Sequence, residues 1–378
     1  MAKMVKAAVM TKPGSIVIEN FEKPEVDSDS ILLKTEVAGI CGTDVHIFQG
    51  HLPTVPFPII PAHEYVGKVE TLGASAVGME ARGQNLIVGD RVAVVPCIPC
   101  GRCFYCKNVP SRPNLCENRI CYGITMSSKN PPHLLGGMAE NMYVVPRSSI
   151  YRIPDDMPSD LAVLTEPLAV ATKGLERAYE PGVPYAREGF GIGKSVVVQG
   201  IGPIGLFAVV AARAAGAGMI IAIDSVDLRL SAAEEFGANV TINMKNAPKK
   251  EDRVAEVKRL TLGKGADVVL ECAGVPAAFA EGLELVRRGG KLVELGHYTN
   301  VGTVEVNPRD ICWRDVDILG SWSYPPTQFE TALNLLYYQR DRFPFKKMIT
   351  HRFSIEDAAK GIEKMNAKDE SIKVVITP

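Results

Sequence analysis

Ser195-Val-Val-Val-Gln-Gly200-Ile-Gly202-Pro203-Ile204-Gly205 is the stretch on which the fold turns. Three consecutive valines flanked by polar residues read as a short buried strand. The glycines at 200, 202 and 205 then hand the chain directly to an apolar helix expected over 203–215. Gly-x-Gly-x-x-Gly between a strand and a helix lets the backbone approach a pyrophosphate, while the helix N-terminus offers N–H donors and partial positive charge. Gly200, Gly202, Pro203, Ile204 and Gly205 are therefore the expected cofactor turn. Asp224 closes the next expected strand, 19 residues after Gly205. A carboxylate there accepts from ribose hydroxyls and repels a 2′-phosphate, which points to NAD. Arg229 is expected to stack or hydrogen-bond at the adenosine end. The alternative is a tight strand–turn–helix packing motif with a solvated Asp.

Outward from this turn, strands expected at Ser195–Gln199, Met219–Asp224, Ala266–Glu271, 291–295 and 316–320 alternate with helices at 203–215, 228–236, 253–260 and 277–286. That alternation argues for βαβ units and a parallel, doubly wound sheet. The first 160 residues instead show short apolar runs (31–37, 65–71, 90–95, 142–145) broken by Gly and Pro, and the last 50 end in an apolar strand, 372–376. The expected class is α/β: a β-rich domain from residues 1–167 and 323–378, with a doubly wound domain, 168–322, inserted. At 378 residues two domains are the natural expectation.

Five of nine cysteines fall within residues 97–116. The spacing Cys100-x2-Cys103-x2-Cys106-x9-Cys116 supplies four thiolates to one tetrahedral Zn²⁺. A disulfide cluster is the alternative, but it needs an oxidising compartment and no feature points to one. Four sulfurs leave no open position, so this zinc is structural. Cys97 is an extra thiol that could compete for the metal; Cys121, Cys272 and Cys312 read as structural. A net charge of −1 without basic runs argues against nucleic acid. No stretch reaches the ~18 apolar residues of a membrane span. The N-terminus carries no signal-peptide pattern, so the expected compartment is the cytoplasm.

Two further segments carry potential ligands, Cys41-Gly-Thr43-Asp44-Val-His46 and His63-Glu64. With Gly89-Asp-Arg-Val, the cysteine lobe, Glu166-Pro-Leu-Ala and the glycine turn, they give the chain a resemblance to the zinc-dependent medium-chain alcohol dehydrogenases. That resemblance spans essentially the whole sequence and lies nearest the sorbitol and threonine dehydrogenase-like branch, because Glu166 stands where the liver-type branch has a cysteine. It implies a GroES-like β-rich catalytic domain with a Rossmann cofactor domain. It implies a catalytic zinc on Cys41, His63 and Glu166, with Glu64 as an alternating ligand, and hence two zinc ions per chain. Zinc lowers the pKa of an alcohol oxygen and nicotinamide accepts the hydride. In the same family Thr43 and His46 relay the proton to solvent, and Asp44 orients a ligand histidine. Leu52, His297 and Trp322 are expected to rim an amphipathic pocket for a small alcohol or carbonyl substrate. A homodimer or homotetramer is expected, with no nucleic-acid or membrane partner.

The sequence departs from the family pattern in three places. Ala62 precedes His63 where Gly is usual, the last cysteine gap is nine rather than seven, and residues 78–85 are an added segment expected beside the active-site cleft. An NADP(H)-linked carbonyl or quinone reductase without catalytic zinc is opposed by the intact set Cys41, His63 and Glu166. A non-catalytic zinc-stabilised nucleotide sensor is opposed by Thr43 and His46.

Overall fold

The structure is a computed structural model and describes residues 3–179 and 189–378. The chain divides into two compact units. The first comprises Met1–Glu166, Pro325–Arg340 and Phe345–Pro378, and the second Pro167–Tyr324 and Asp341–Pro344.

The first unit opens with a hairpin, β1 (Met4–Lys12) and β2 (Ser15–Glu22), whose pairing the apolar pattern did not disclose. Next come β3 (Ile31–Ile40), α1 (Gly42–Phe48), β4 (Glu64–Leu72) and β5 (Arg91–Val94). β3 is buried on both faces because it lies inside the sheet, which suits its run of aliphatic residues. The cysteine lobe holds β6 (Cys97–Ile98), α2 (Phe104–Asn108) and β7 (Ile120–Cys121). β8 (Asn141–Val144), β9 (Ile150–Arg152), α3 (Ser159–Ala162) and α4 (Thr165–Glu176) follow.

The second unit repeats strand and helix: β10 (Ser195–Gln199), α5 (Pro203–Ala214), β11 (Met219–Asp224), α6 (Asp227–Glu235), β12 (Val240–Asn243), α7 (Lys250–Leu260), β13 (Ala266–Glu271), α8 (Pro276–Leu285), β14 (Val286–Glu294), α9 (Pro308–Arg314) and β15 (Asp317–Gly320). Among the described residues its six strands run parallel in the order β12-β11-β10-β13-β14-β15. The order reverses direction beside β10, which puts the glycine turn at the topological switch point. Its core centres on Val197, Ile221, Val269, Leu285 and Leu292.

The chain returns to the first unit with α10 (Pro326–Tyr338), β16 (Ile349–Ser354), α11 (Ala358–Asn366) and β17 (Lys373–Thr377). β17 pairs with β3, Val374 opposite Ile40, so the last strand reaches the loop at Cys41. The sheet runs β16-β17-β3-β4-β5-β9, with β8 also on β3. The added segment 78–85 docks on β9 at the sheet edge, two strands from β4. Ala81 donates to the Ile150 carbonyl at 2.8 Å, and buried Glu80 accepts from Arg82 and from the Arg152 amide.

Candidate active site

Cys41 follows β3 and caps α1 in extended backbone geometry. Asp44, fully buried three residues on, accepts the Cys41 N–H at 2.8 Å and the Ala62 N–H at 3.0 Å. One carboxylate thus ties together the two loops that carry Cys41 and His63. Asp44 was expected to hold a ligand histidine. Its hydrogen bonds go instead to these two backbone amides, and it acts on His63 through its charge. His63 Nδ1 is buried without a hydrogen-bond partner.

Ala62 explains the family's usual glycine. Its φ is +70°, the left-handed region, while it is fully buried. That conformation costs a residue with a Cβ roughly 1–2 kcal/mol. Neighbouring backbone holds it there: a Cβ on Gly123 would fall 2.6 Å from the Ala62 carbonyl oxygen, and one on Gly136 would fall 1.8 Å from that of Ile60.

Donor atoms of Cys41, His63 and Glu64 lie within 4.8 Å of one another. Glu166, in the first turn of α4, is buried and close enough for its charge to act on His63, but it is not part of that tight group. Glu64 is engaged by Lys373, also buried, whose Nζ donates to the Ile40 carbonyl at 3.0 Å. Sequence motifs missed Lys373; the signal was a cation beginning an otherwise apolar strand. Burial works against its charge, yet Glu64, Cys41 and Glu166 outweigh that and raise its pKa.

The field of this pocket is negative. Burial alone would lower the His63 imidazole, but a hydrogen bond to Cys41 and the charges of Cys41, Asp44 and Glu166 push it up to about 10. A pocket that retains a proton so firmly suits a cation. Thiolate, imidazole and carboxylate are the donors that Zn²⁺ takes, with three ligands leaving an open position. The residues present therefore fit a catalytic zinc.

Thr43 is buried, its hydroxyl 3.7 Å from Cys41 Sγ. His46 stands three residues on along α1, on the same side of the helix. Its Nδ1 is 3.1 Å from Nδ1 of His51, an exposed histidine that sequence reasoning passed over. Burial, and then the positive neighbours His51 and Lys368, lower the His46 pKa.

In the lobe, Cys100, Cys103, Cys106 and Cys116 converge. Cys103 Sγ is 3.6 Å from Cys106 Sγ and 3.8 Å from Cys116 Sγ. Zn–S bonds of about 2.3 Å give tetrahedral edges of ~3.8 Å, so the sulfurs already match the metal's geometry. Backbone N–H groups, first that of Arg102, bring the Cys100 thiol down to about 6, the thiolate form that zinc requires. Cys97, expected as a spare competing thiol, is disulfide-bonded to Cys121. The short β6–β7 ladder places the two directly opposite one another, Cα atoms 4.1 Å apart. Cys312, expected as structural, is exposed on α9.

In the second unit, a Cβ at Gly200 (φ +80°) would fall 2.4 Å from Ala273 Cα, and one at Gly205 would fall 1.9 Å from the Gly200 carbonyl oxygen. Only glycine fits either place. Pro203 and Ile204 start α5 directly behind the turn. Asp224 is buried; it accepts from the Ile201 amide at 2.6 Å and from Ser225 and Val226. It therefore braces the glycine turn from the next strand. A Cβ on Gly202 would come 3.9 Å from the Arg229 guanidinium, so Arg229 borders the turn. Of the expected pocket residues, Leu52 packs partly buried on the core of the first unit, and Trp322 stacks on Tyr298 at 5.3 Å in the second. His297 is drawn to Glu294, its Nδ1 at 2.8 Å.

Residues 27–155 match the alcohol dehydrogenase GroES-like domain and residues 203–337 the zinc-binding dehydrogenase domain. A 5-exo-hydroxycamphor dehydrogenase from Pseudomonas putida is 34% identical over 367 residues, covering 96% of each chain. The chain belongs to the zinc-binding alcohol dehydrogenase family. Sorbitol dehydrogenase from Bacillus subtilis is 33% identical, covering 99% of this chain and 97% of its own. The crystal structure of an alcohol dehydrogenase from Thermotoga maritima superposes with a TM-score of 0.91 at 32% identity, over 100% of both chains. The fold is thus a GroES-like domain with a Rossmann-type nucleotide unit, and the chain is an oxidoreductase of the medium-chain alcohol and polyol dehydrogenase type, a family that uses zinc and a nicotinamide cofactor. Among the described residues no helix is long and apolar enough to cross a membrane.

Proposed function

We propose that this dehydrogenase oxidises an alcohol, primary, secondary or polyol, to the aldehyde or ketone with NAD⁺. Each chain would carry two zinc ions, one structural in the cysteine lobe. The observation that carries the reading is the buried group of Cys41, His63 and Glu64 in its negative field. Cys41, His63 and Glu166 would hold the catalytic ion, because Glu64 is engaged by Lys373 and stays an alternate. When bound, zinc supplies Lewis acidity toward the alcohol oxygen and NAD⁺ supplies the hydride acceptor.

The protein's own residues do the rest. Thr43, beside Cys41, takes the proton leaving the alcohol as it gives up its own hydroxyl proton to the relay. His46 passes it outward, and His51 extends the path to solvent. Asp44 fixes both ligand loops through their amides. Gly200, Gly202 and Gly205 admit the pyrophosphate, with Pro203 and Ile204 at the helix start, and Asp224 disfavours a 2′-phosphate. A homodimer or homotetramer accompanies this reading: β15 is the sheet edge and Ile318 on it is exposed, where a second copy can pair.

The experiment is an alcohol panel spanning aliphatic, cyclic, polyol and anionic members, followed by NADH absorbance before and after chelation. Turnover of at least one alcohol that stops on chelation supports the reading; NADH formation that survives complete zinc removal overturns it. An NADP⁺ preference would instead shift cofactor choice to Arg229, which borders the glycine turn.

A further inference from the structure

The nucleotide unit holds a third group of ligand-type side chains, apart from the two groups in the first unit. β13 and β14 are parallel neighbours, and Glu271 pairs in register with Glu294 at their C-terminal ends. The turn after β14 brings His297 back over both. Gly274 (φ +67°) and Gly296 let the two turns close: a Cβ on Gly296 would fall 2.4 Å from Glu271 Oε2.

Glu271 is fully buried, and its Oε1 is fixed by the amides of Ala273 at 2.8 Å and Gly274 at 3.0 Å. Its Oε2 has no hydrogen-bond partner and lies 3.5 Å from His297 Nδ1. Glu294 Oε1 is 2.8 Å from the same nitrogen and accepts the Gly296 amide at 3.1 Å. Buried Glu294 Oε2 and His297 Nε2 are likewise without hydrogen-bond partners. Among the described residues, neither carboxylate is paired with a lysine or arginine.

Two carboxylates side by side around a partly buried histidine, with Glu271 Oε2 and Glu294 Oε2 both buried and unmet, make a donor set for a cation. We propose that Glu271, Glu294 and His297 form a third divalent-cation site, in the nucleotide unit and separate from the two zinc sites. One donor atom from each lies within 4.8 Å of the others. Metal–ligand bonds of about 2.1 Å give ligand–ligand edges of roughly 3.0–3.4 Å. The separations of 2.8 and 3.5 Å bracket that range, so small side-chain shifts suffice. Two oxygens and one imidazole without thiolate suit Mn²⁺, Fe²⁺ or Zn²⁺. The site adjoins the cofactor turn, because Ala273, two residues past Glu271, is the residue against which Gly200 packs.

The test is Mn²⁺ titration of the zinc-loaded full-length protein by electron paramagnetic resonance, with zinc content followed by mass spectrometry. One further Mn²⁺ per chain is expected with no zinc released. Glu294→Gln and His297→Asn should each weaken it about 10- to 100-fold while keeping both zinc ions and native circular dichroism, as loss of one ligand or its support does. The proposal is overturned if no Mn²⁺ binds at millimolar concentration, if Mn²⁺ enters only by displacing zinc, or if both variants bind as wild type does. The readout is metal occupancy, so it is independent of whether the catalytic assignment at Cys41 holds.

Discussion

Replacing Lys373 with methionine tests the electrostatic design of the active-site pocket. Lys373 is 1% exposed and Glu64 fully buried, and the two are ion-paired beside the Cys41 loop. Methionine keeps the stem's bulk and removes only the charge and its donors. Removing one partner of a buried pair costs about 3–5 kcal/mol. The lower part of that range applies, because a zinc ion held at Cys41 and His63 would offset part of the charge that Lys373 leaves behind. The expected loss is therefore about 3–4 kcal/mol. At roughly 2–4 °C per kcal/mol for a unit of this size, the melting temperature should fall by about 6–16 °C. The assay is thermal unfolding of the zinc-loaded protein, with amide hydrogen exchange at β3 and β17 to localise the loss. Glu64→Gln alone should also destabilise. The double variant should recover most of the loss, giving a coupling energy above about 2 kcal/mol. Losses under about 1 kcal/mol that simply add in the double variant would refute the reasoning.

The other predictions concern metal, proton path, cofactor and backbone. A mild chelator should abolish activity while circular dichroism stays native, whereas Cys103→Ser should impair folding, because a four-sulfur zinc contributes directly to stability; metal analysis finding one zinc or none per chain would contradict this. The lowered pKa of His46 keeps its ring neutral, and able to accept a proton, down to a lower pH than an ordinary imidazole. The oxidation rate should therefore rise with pH through a midpoint below ~6.5. His46→Gln should slow oxidation near neutrality, with partial rescue at high pH or by added buffer base, and a pH–rate profile matching wild type would remove His46 from the path. Asp224→Ser should relax discrimination against NADP⁺ in kcat/KM and loosen the glycine turn, since Ile201 loses its acceptor; wild-type preference for NADP⁺ would refute the first part. Ala62→Gly should stabilise by about 0.5–1 kcal/mol, because glycine adopts φ +70° without strain; a loss of stability would contradict it.

Much of the second unit was legible because βαβ segments alternate two periodicities that sequence displays. Ser195–Gln199, Met219–Asp224 and Ala266–Glu271 form as expected. β14 begins at Val286, earlier than the expected 291, but Gly289 (φ +62°) and Gly290 do interrupt its ladder: pairing with β13 jumps from Val286 to Lys291, where the regular strand starts. β12 was missed: four residues, Val-Thr-Ile-Asn, carry too little apolar signal. In the site, the residues with motif spacing were visible: Cys41, His63, Glu64 and the four lobe cysteines. What stayed hidden depends on distant pairing. Lys373 reaches Glu64 only because β17 lies on β3, and Cys97 meets Cys121 only through the β6–β7 ladder. The Glu271–Glu294 juxtaposition is a matter of strand register, which no local pattern encodes.

The central claim is that the pocket of Cys41 and His63 holds the metal on which alcohol oxidation depends. Its most direct test is the rate of NADH formation as zinc is returned stepwise to chelated protein, wild type against Cys41→Ser, with an alcohol that wild type turns over. The account predicts that wild type regains activity in proportion to zinc bound. Cys41→Ser, natively folded and with its cysteine lobe filled, should stay at least a thousandfold slower at every zinc level, as when a group acting on the reacting atoms is lost (roughly 4 kcal/mol). Activity in Cys41→Ser near that of wild type, or full activity of the chelated wild type, would contradict it.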